Sequence, residues 1–171
     1  LEDINYDVIL LETVGVGQSE HTAWQITDGY ILVIQPGSGD DLQVIKRGVT
    51  ELADIIVINK SDGALQKVAA ITKSHFQNAL HYLTPNRKGW ERKVLTSSAL
   101  EKNGTDEFWH VLRLYLDSRL KTDEIGAERL NQNQFWLSWS LSMTAHSLLI
   151  NHPLIQQKLK EGTSRIAKQK T

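Results

Sequence analysis

Four short runs of β-branched and aliphatic residues decide what this chain can fold into. They are Asp7 to Glu12 (DVILLE), Tyr30 to Gln35 (YILVIQ), Asp54 to Asn59 (DIIVIN) and Lys93 to Ser97 (KVLTS). Their apolar residues are continuous rather than alternating, the pattern of strands covered on both faces. Helix-compatible segments lie between them, notably Gln43 to Leu52 and Leu65 to Leu83. Strands alternating with helices predict an α/β fold built on a parallel sheet with right-handed crossovers. Each run ends in a polar or glycine-bearing loop: ETVGVGQSE, QPGSGDD, NKSDG and SSALEKNG. Ligands of open parallel sheets sit outside the carboxyl ends of the strands, so these four loops are predicted to converge on one site.

After Gly104 the pattern changes. Asp106 to Leu120 carries apolar residues at helical spacing, with Thr105 or Asp106 as the cap. A longer helix is expected from about Ala127 to Ile150, stopped by Asn151, His152 and Pro153. A short helix from Leu154 to Glu161 and a tail rich in Lys and Arg follow. No strand pattern occurs here, which places a domain boundary near Lys121, with an α/β core over 1–120 and a helical region over 121–171. The chain starts at Leu1 rather than a methionine, and Leu1 to Tyr6 reads as the interior of a longer sequence.

Bulk properties narrow the partners. In 171 residues, 40% apolar and 23% charged content are ordinary globular values. A formal net charge of -1 gives no field to attract nucleic acid or an anionic membrane. No apolar stretch approaches the ~18 residues that span a bilayer, and no secretory leader is visible. The absence of cysteine removes disulfide frameworks and thiolate metal sites, which fits a cytoplasmic protein. The six histidines follow no metal-binding spacing and read as structural or exposed.

The sharpest motif is Asn59-Lys60-Ser61-Asp62, directly after a strand run. A carboxylate at Asp62 can accept from both N1–H and the exocyclic amine of guanine, whereas adenine has no matching donor pair. Buried polar groups left unpaired let such a site reject the wrong base by ~10⁴ or more. Asn59 can brace the loop and reach the N7/O6 edge, and the Lys60 stem can lie over the purine face. A solvated turn is the bland alternative; three specified residues match by chance in a chain this long with a probability of roughly a few per cent. Ser98-Ala99, one strand later, can offer a backbone N–H to the guanine O6. Glu12-Thr13-Val14-Gly15 fits a D-x-x-G-like pattern with Glu for Asp. There Glu12 can hold Mg²⁺ through its water shell, and Gly15 lets the backbone approach a γ-phosphate. Taken alone, that stretch is also an ordinary glycine-bearing turn.

Together, ETVGVGQSE, PGSGDDLQVIKRGVTELADIIVINKSDG, ERLNQNQFWLSW and NHPLIQQKL resemble the MeaB/ArgK/MMAA-type P-loop GTPases, over nearly the whole chain. The resemblance implies a SIMIBI-type GTPase core followed by a helical dimerisation region. It also implies GTP or GDP with Mg²⁺ as ligands and an adenosylcobalamin-dependent acyl-CoA mutase as partner, usually methylmalonyl-CoA mutase. On that basis Glu12 and Gly15 take the Mg²⁺ and γ-phosphate roles, and Asn59, Lys60, Asp62, Ser98 and Ala99 read the base. Gln18 falls in one switch and Asp40 and Gln43 in another. Lys46 stabilises charge near the phosphates, with a solvated helix start as its alternative. Val44 departs from the Gly usual in similar proteins, which bears on the flexibility of that second switch. Phe135, Trp136, Leu137, Trp139 and Leu141 fall where the family dimerises. The expected location is the cytoplasm, or the mitochondrial matrix in a eukaryote.

One part is missing. No G-x-x-x-x-G-K-[ST] occurs, so the chain has no lysine for the β- and γ-phosphates and is not expected to hydrolyse GTP alone. The resemblance places that loop and its strand upstream of Leu1, the strand lying between the Glu12 and Tyr30 strands. A gap or slipped pairing is therefore expected there. Two alternatives stand beside the GTPase chaperone. One is a non-catalytic dimerisation or partner-binding module. The other is the transport-linked kinase or ATPase of the older LAO/AO family label.

Overall fold

A computed structural model of the chain describes residues 6, 8–13, 19–37, 48–83, 87–121 and 124–168. In chain order these residues form α1 (Ser19–Gln25), β1 (Ile31–Ile34), α2 (Val49–Leu52) and β2 (Ile55–Ile58). After a 3₁₀ turn over Gly63–Leu65 come α3 (Gln66–His81), β3 (Lys93–Thr96), α4 (Thr105–Lys121), α5 (Glu124–Asn151) and α6 (Pro153–Lys168). The three strands are parallel in the order β1-β2-β3, with Ile31, Ile55 and Lys93 in register at one end and Ile34, Ile58 and Thr96 at the other. The α/β fold class and three of the four predicted strands are thus present.

Central β2 explains why the run IIVI is apolar throughout, since all four residues are buried. Side chains alternate between the faces of a strand. Ile56 and Ile58 therefore join Ala69 and Phe76 of α3 on one face. Ile55 and Val57 join Trp90 and the α4 residues Leu112 and Tyr115 on the other. Both faces of the sheet are covered, and every loop after a strand opens at the same end.

The fourth predicted strand, Asp7 to Glu12, is not formed over its described residues 8–12. Residues 8–13 carry no ladder, and Val8, Ile9, Leu10 and Leu11 are all exposed, Leu10 at 77%. A two-face-buried strand needs neighbours on its backbone and cover on its side chains, and no strand among the described residues supplies them. The interruption expected beside Tyr30 is therefore complete rather than a slipped register. Two helix limits also move. The α4 helix begins at Thr105 with Phe108 N–H donating to the Gly104 carbonyl, so Thr105 is the first helical residue rather than the cap. The α6 helix continues to Lys168, so the segment read as a tail is helical. Pro153 stands at its first position, where the missing N–H costs nothing.

The chain divides into two compact units, Leu1–Leu130 and Asn131–Thr171. In the second, the rings of Trp136 and Trp139 stack at 5.0 Å between centroids. Leu137, Leu141, Leu148, Leu149, Leu154 and Leu159 are more than half exposed.

In the first unit, the amino ends of the strands converge on buried charge. Asp54, 1% exposed, accepts from Tyr30 N–H at 2.9 Å and lies 3.1 Å from the Tyr115 hydroxyl and 3.7 Å from Arg87. Arg87 and the fully buried Arg119 both bond Glu128, in the first turns of α5. Burial pushes the Asp54 carboxyl above its ordinary range, against the pull of the Tyr30 N–H and Arg87. Burial, and then the neighbouring Asp54 charge, push the Tyr115 phenol well above the usual tyrosine range.

Candidate functional site

At the carboxyl end of β2 the chain leaves the sheet through Asn59-Lys60-Ser61-Asp62, and at that of β3 through Ser97-Ser98-Ala99. Backbone bonds continue the ladder beyond the strands: Asn59 N–H donates to Ile34 O (2.9 Å), Ser97 N–H to Ile58 O (2.9 Å) and Ser61 N–H to Ser97 O (3.0 Å). Lys60 sits in the left-handed region at φ 59, unusual for a residue with a Cβ. Its N–H donates to the Asn59 side-chain oxygen at 2.8 Å, and the Ala99 N–H donates to the same oxygen at 3.3 Å. Asn59 is therefore a brace between the two loops, and the turn at Lys60 is held in a strained conformation of the kind stored at functional sites.

Asp62 is placed by Ser98. The Ser98 hydroxyl, 1% exposed, accepts from Glu101 N–H at 3.0 Å, so its single proton goes to Asp62 Oδ1 at 2.6 Å. A charge-assisted bond of this length fixes the carboxylate. Asp62 Oδ2 accepts no hydrogen bond among the described residues, and the carboxylate is half-exposed. One oxygen is thus anchored and the other is open.

The second loop is closed on itself. Ser98 and Asn103 exchange two backbone bonds (2.9 and 3.0 Å), and Ser97 Oγ donates to Asn103 O at 3.1 Å. Gly104, at φ 80, makes this possible, because a Cβ there would lie 2.4 Å from the Thr96 carbonyl oxygen. Ser61 and Asn103, with Gln66, Ala69, Ala70, Lys73 and Thr96, line a shallow cavity of about 200 Å³ on the α3 side of the loops. Asn59, Lys60, Asp62, Ser98 and Ala99 do not line it. Asn59, Lys60, Asp62 and Ala99 reach solvent, while Ser98 is buried.

Asn59, Lys60, Asp62, Ser98 and Ala99, the residues the sequence nominated for base reading, lie together at one sheet end. The Ala99 N–H, expected to face a guanine O6, is engaged by Asn59 in this state. Glu12 lies on the exposed segment that forms no strand. Gly15, Gln18, Asp40, Gln43 and Lys46 lie outside the described residues.

Residues 1–153 match the family described as Methylmalonyl Co-A mutase-associated GTPase MeaB. The chain belongs to the MeaB family. GTPase ArgK of Escherichia coli (strain K12) is 43% identical over 136 residues, covering 80% of this chain and 41% of ArgK. The mouse protein named Methylmalonic aciduria type A homolog, mitochondrial, is 37% identical over 165 residues, covering 92% of this chain and 40% of the mouse protein. A crystal structure of a LAO/AO transport system kinase superposes with a TM-score of 0.72 at 31% identity, covering 99% of this chain and 54% of that one. The MeaB-family chain therefore spans less than half the length of these two curated relatives, and its sheet and helices are part of a P-loop GTPase fold.

Three positions that shape the MeaB-family site escaped the sequence. These are Lys60 as a left-handed turn, Asn103 as the bridge partner of Ser98, and Gly104 as the residue that admits the Thr96 carbonyl. The only available signal was the Asn-Gly pair at 103–104, a common turn marker.

Proposed function

We propose that this chain is the base-reading part of a G protein that binds GTP and GDP with Mg²⁺. That G protein hydrolyses GTP and assists an adenosylcobalamin-dependent acyl-CoA mutase of the methylmalonyl-CoA mutase type. The observation that carries the reading is Asp62, anchored through Oδ1 by Ser98 and open at Oδ2. A carboxylate so held meets the N1–H and exocyclic amine of guanine and opposes the N1 lone pair of adenine. The mutase partnership is drawn from the description of the matched family as mutase-associated.

Within that reading Glu12 holds Mg²⁺ through water, Gly15 senses the γ-phosphate, Lys46 offsets phosphate charge, and Gln18, Asp40 and Gln43 belong to the switches. Mg²⁺ would neutralise charge developing on the phosphates. The 171 residues contain no G-x-x-x-x-G-K-[ST], so this chain alone selects a base without turning over GTP. The exposed apolar residues of α5 and α6, the Trp136–Trp139 stack among them, suit a homodimer. The described residues include no helix long and apolar enough to cross a membrane. The cytoplasm, or the mitochondrial matrix in a eukaryote, is where such a protein would meet its mutase.

Titration calorimetry with GDP, GTP, ADP and ATP tests the base reading. Guanine nucleotides are expected to bind at least ~100-fold more tightly than adenine nucleotides. Equal affinity, or an ATP preference, would sink the reading, and the latter would favour a kinase or ATPase role.

A further inference from the structure

Two connections, one relayed through Arg87 and one direct, join α1 and the turn after it to the start of α5. Trp24, in the last turn of α1, lies against the Arg87 guanidinium, with Cζ 5.5 Å from the ring centroid. Arg87 Nη1 in turn donates to Glu128 Oε2 at 2.8 Å. The second contact is direct. Asp28, three residues beyond α1, accepts a two-pronged bond from Arg129, Nη2 at 2.7 Å and Nε at 3.1 Å. The Tyr115 hydroxyl also donates to the Asp28 carbonyl at 2.7 Å, which ties the same turn to α4.

Glu128 and Arg129 are consecutive, so their side chains leave α5 about 100° apart around its axis. One attachment leaves a helix free to rotate about it, whereas two on different faces fix rotation and axial position together. Both attachments lead back to the segment 24–28. A shift of that segment by an ångström or two would break the Asp28–Arg129 fork and move the aromatic face under Arg87, because paired charges lose their geometry over such distances.

We propose that Trp24–Arg87–Glu128 and Asp28–Arg129 form a joint through which α1 sets the position of the first turns of α5. The inference rests on the reading of the loop before α1 as nucleotide-sensing only for its biological use, because the joint itself is a property of described side chains. In that use, movement at the sensing loop reaches the first turns of α5 through these side chains.

Hydrogen–deuterium exchange on the full chain tests the joint in both directions. Asp28→Asn alters the α1 side and Arg129→Met the α5 side, both at partly exposed positions where the fold is expected to survive. Each variant is expected to raise exchange about fivefold over both 24–28 and 124–130, with strand residues 55–58 unchanged. A rise confined to the mutated side overturns the joint, as does a rise that spreads equally to 55–58. Trp24→Ala, read at 124–130, checks the Trp24–Arg87–Glu128 attachment by the same criterion. Protection of 59–62 and 97–99 by GDP, recorded in the same experiment, judges the nucleotide reading separately.

Discussion

At the carboxyl ends of β1–β3 the charged groups Lys60 and Asp62 reach solvent, and the loops are held by short side chains and backbone. At the amino ends the charged groups are buried and held by one another's charges. Asp62 at the first end spends one oxygen on Ser98 and keeps the other. Asp54 at the second end is enclosed by Tyr30 N–H, Tyr115 and Arg87. Both are aspartates adjoining β2, four residues beyond its last residue and directly before its first. The difference is solvent. A half-exposed carboxylate keeps its charge cheaply and can exchange water for a ligand. A buried one keeps it only while its partners stay in place. The open end is thus suited to recognition and the closed end to holding helices in position.

The strongest way to break this contrast is Asp62→Asn. An amide offers a donor where guanine also offers donors, so affinity for GDP should fall by a factor on the order of 10⁴ relative to the parent chain. Xanthosine diphosphate, whose C2 oxygen accepts, should gain, while the melting temperature stays nearly unchanged. Competition binding with the two diphosphates reads both effects. Unchanged GDP affinity would mean that this carboxylate does not touch the base.

At the buried end the largest effect falls on stability instead. Glu128→Gln removes the carboxylate shared by Arg87 and Arg119, which are 8% and 1% exposed. Breaking buried pairs of this kind costs about 3–5 kcal/mol, because the remaining charge stays out of water. Urea unfolding at pH 7 is the measurement. Replacing Arg87, Arg119 and Glu128 together by Met, Met and Leu should recover much of the loss. A single variant as stable as the parent would show that solvent already reaches the pair.

The two ends also differ in how readily a sequence displays them. The candidate reading loop was legible because base recognition would demand particular residue types in a short span directly after a strand, and Asn59 to Asp62 have those types locally. The three strands at 31–34, 55–58 and 93–96 were legible because burial on both faces leaves an apolar run. The run at 7–12 has the same composition yet forms no strand over 8–12, since composition describes what a strand needs and cannot supply its neighbour. The buried charges were not legible at all. Asp54, Arg87, Arg119 and Glu128 are scattered over 75 positions, and each alone resembles a surface residue. Burial assigns their role, and burial follows from the packing of α4 and α5 rather than from any local pattern.

A smaller effect probes the loop after β3. Gly104→Ala places a Cβ 2.4 Å from the Thr96 carbonyl oxygen at a φ of 80. The left-handed backbone alone costs about 1–2 kcal/mol, and the overlap adds to it. Because Ser98 is held by its bridge to Asn103, this variant should weaken nucleotide binding as well as stability. Gly63→Ala is the control: its φ is 52 and a Cβ there meets nothing within 4 Å. It should lose stability through backbone strain while keeping the Ser98–Asp62 bond. Equal loss of binding in both variants would mean that the bridge does not position Ser98.

The mildest test is pH. Tyr115 holds its proton in the folded chain beyond the ordinary tyrosine range, while the unfolded chain releases it near pH 10. Above that pH the native state binds more protons than the unfolded one, so this group makes stability fall as pH rises, by about 1.4 kcal/mol per pH unit. Below pH 10 both states are protonated and the slope from this group vanishes. Tyr115→Phe should be less stable at neutral pH, having lost the bond to the Asp28 carbonyl and the polar contact with Asp54. It should also show a shallower decline between pH 10 and 11.5. Parallel declines in the two proteins would mean that the phenol ionises in the folded state, and that the amino end of the sheet is as open to water as the carboxyl end.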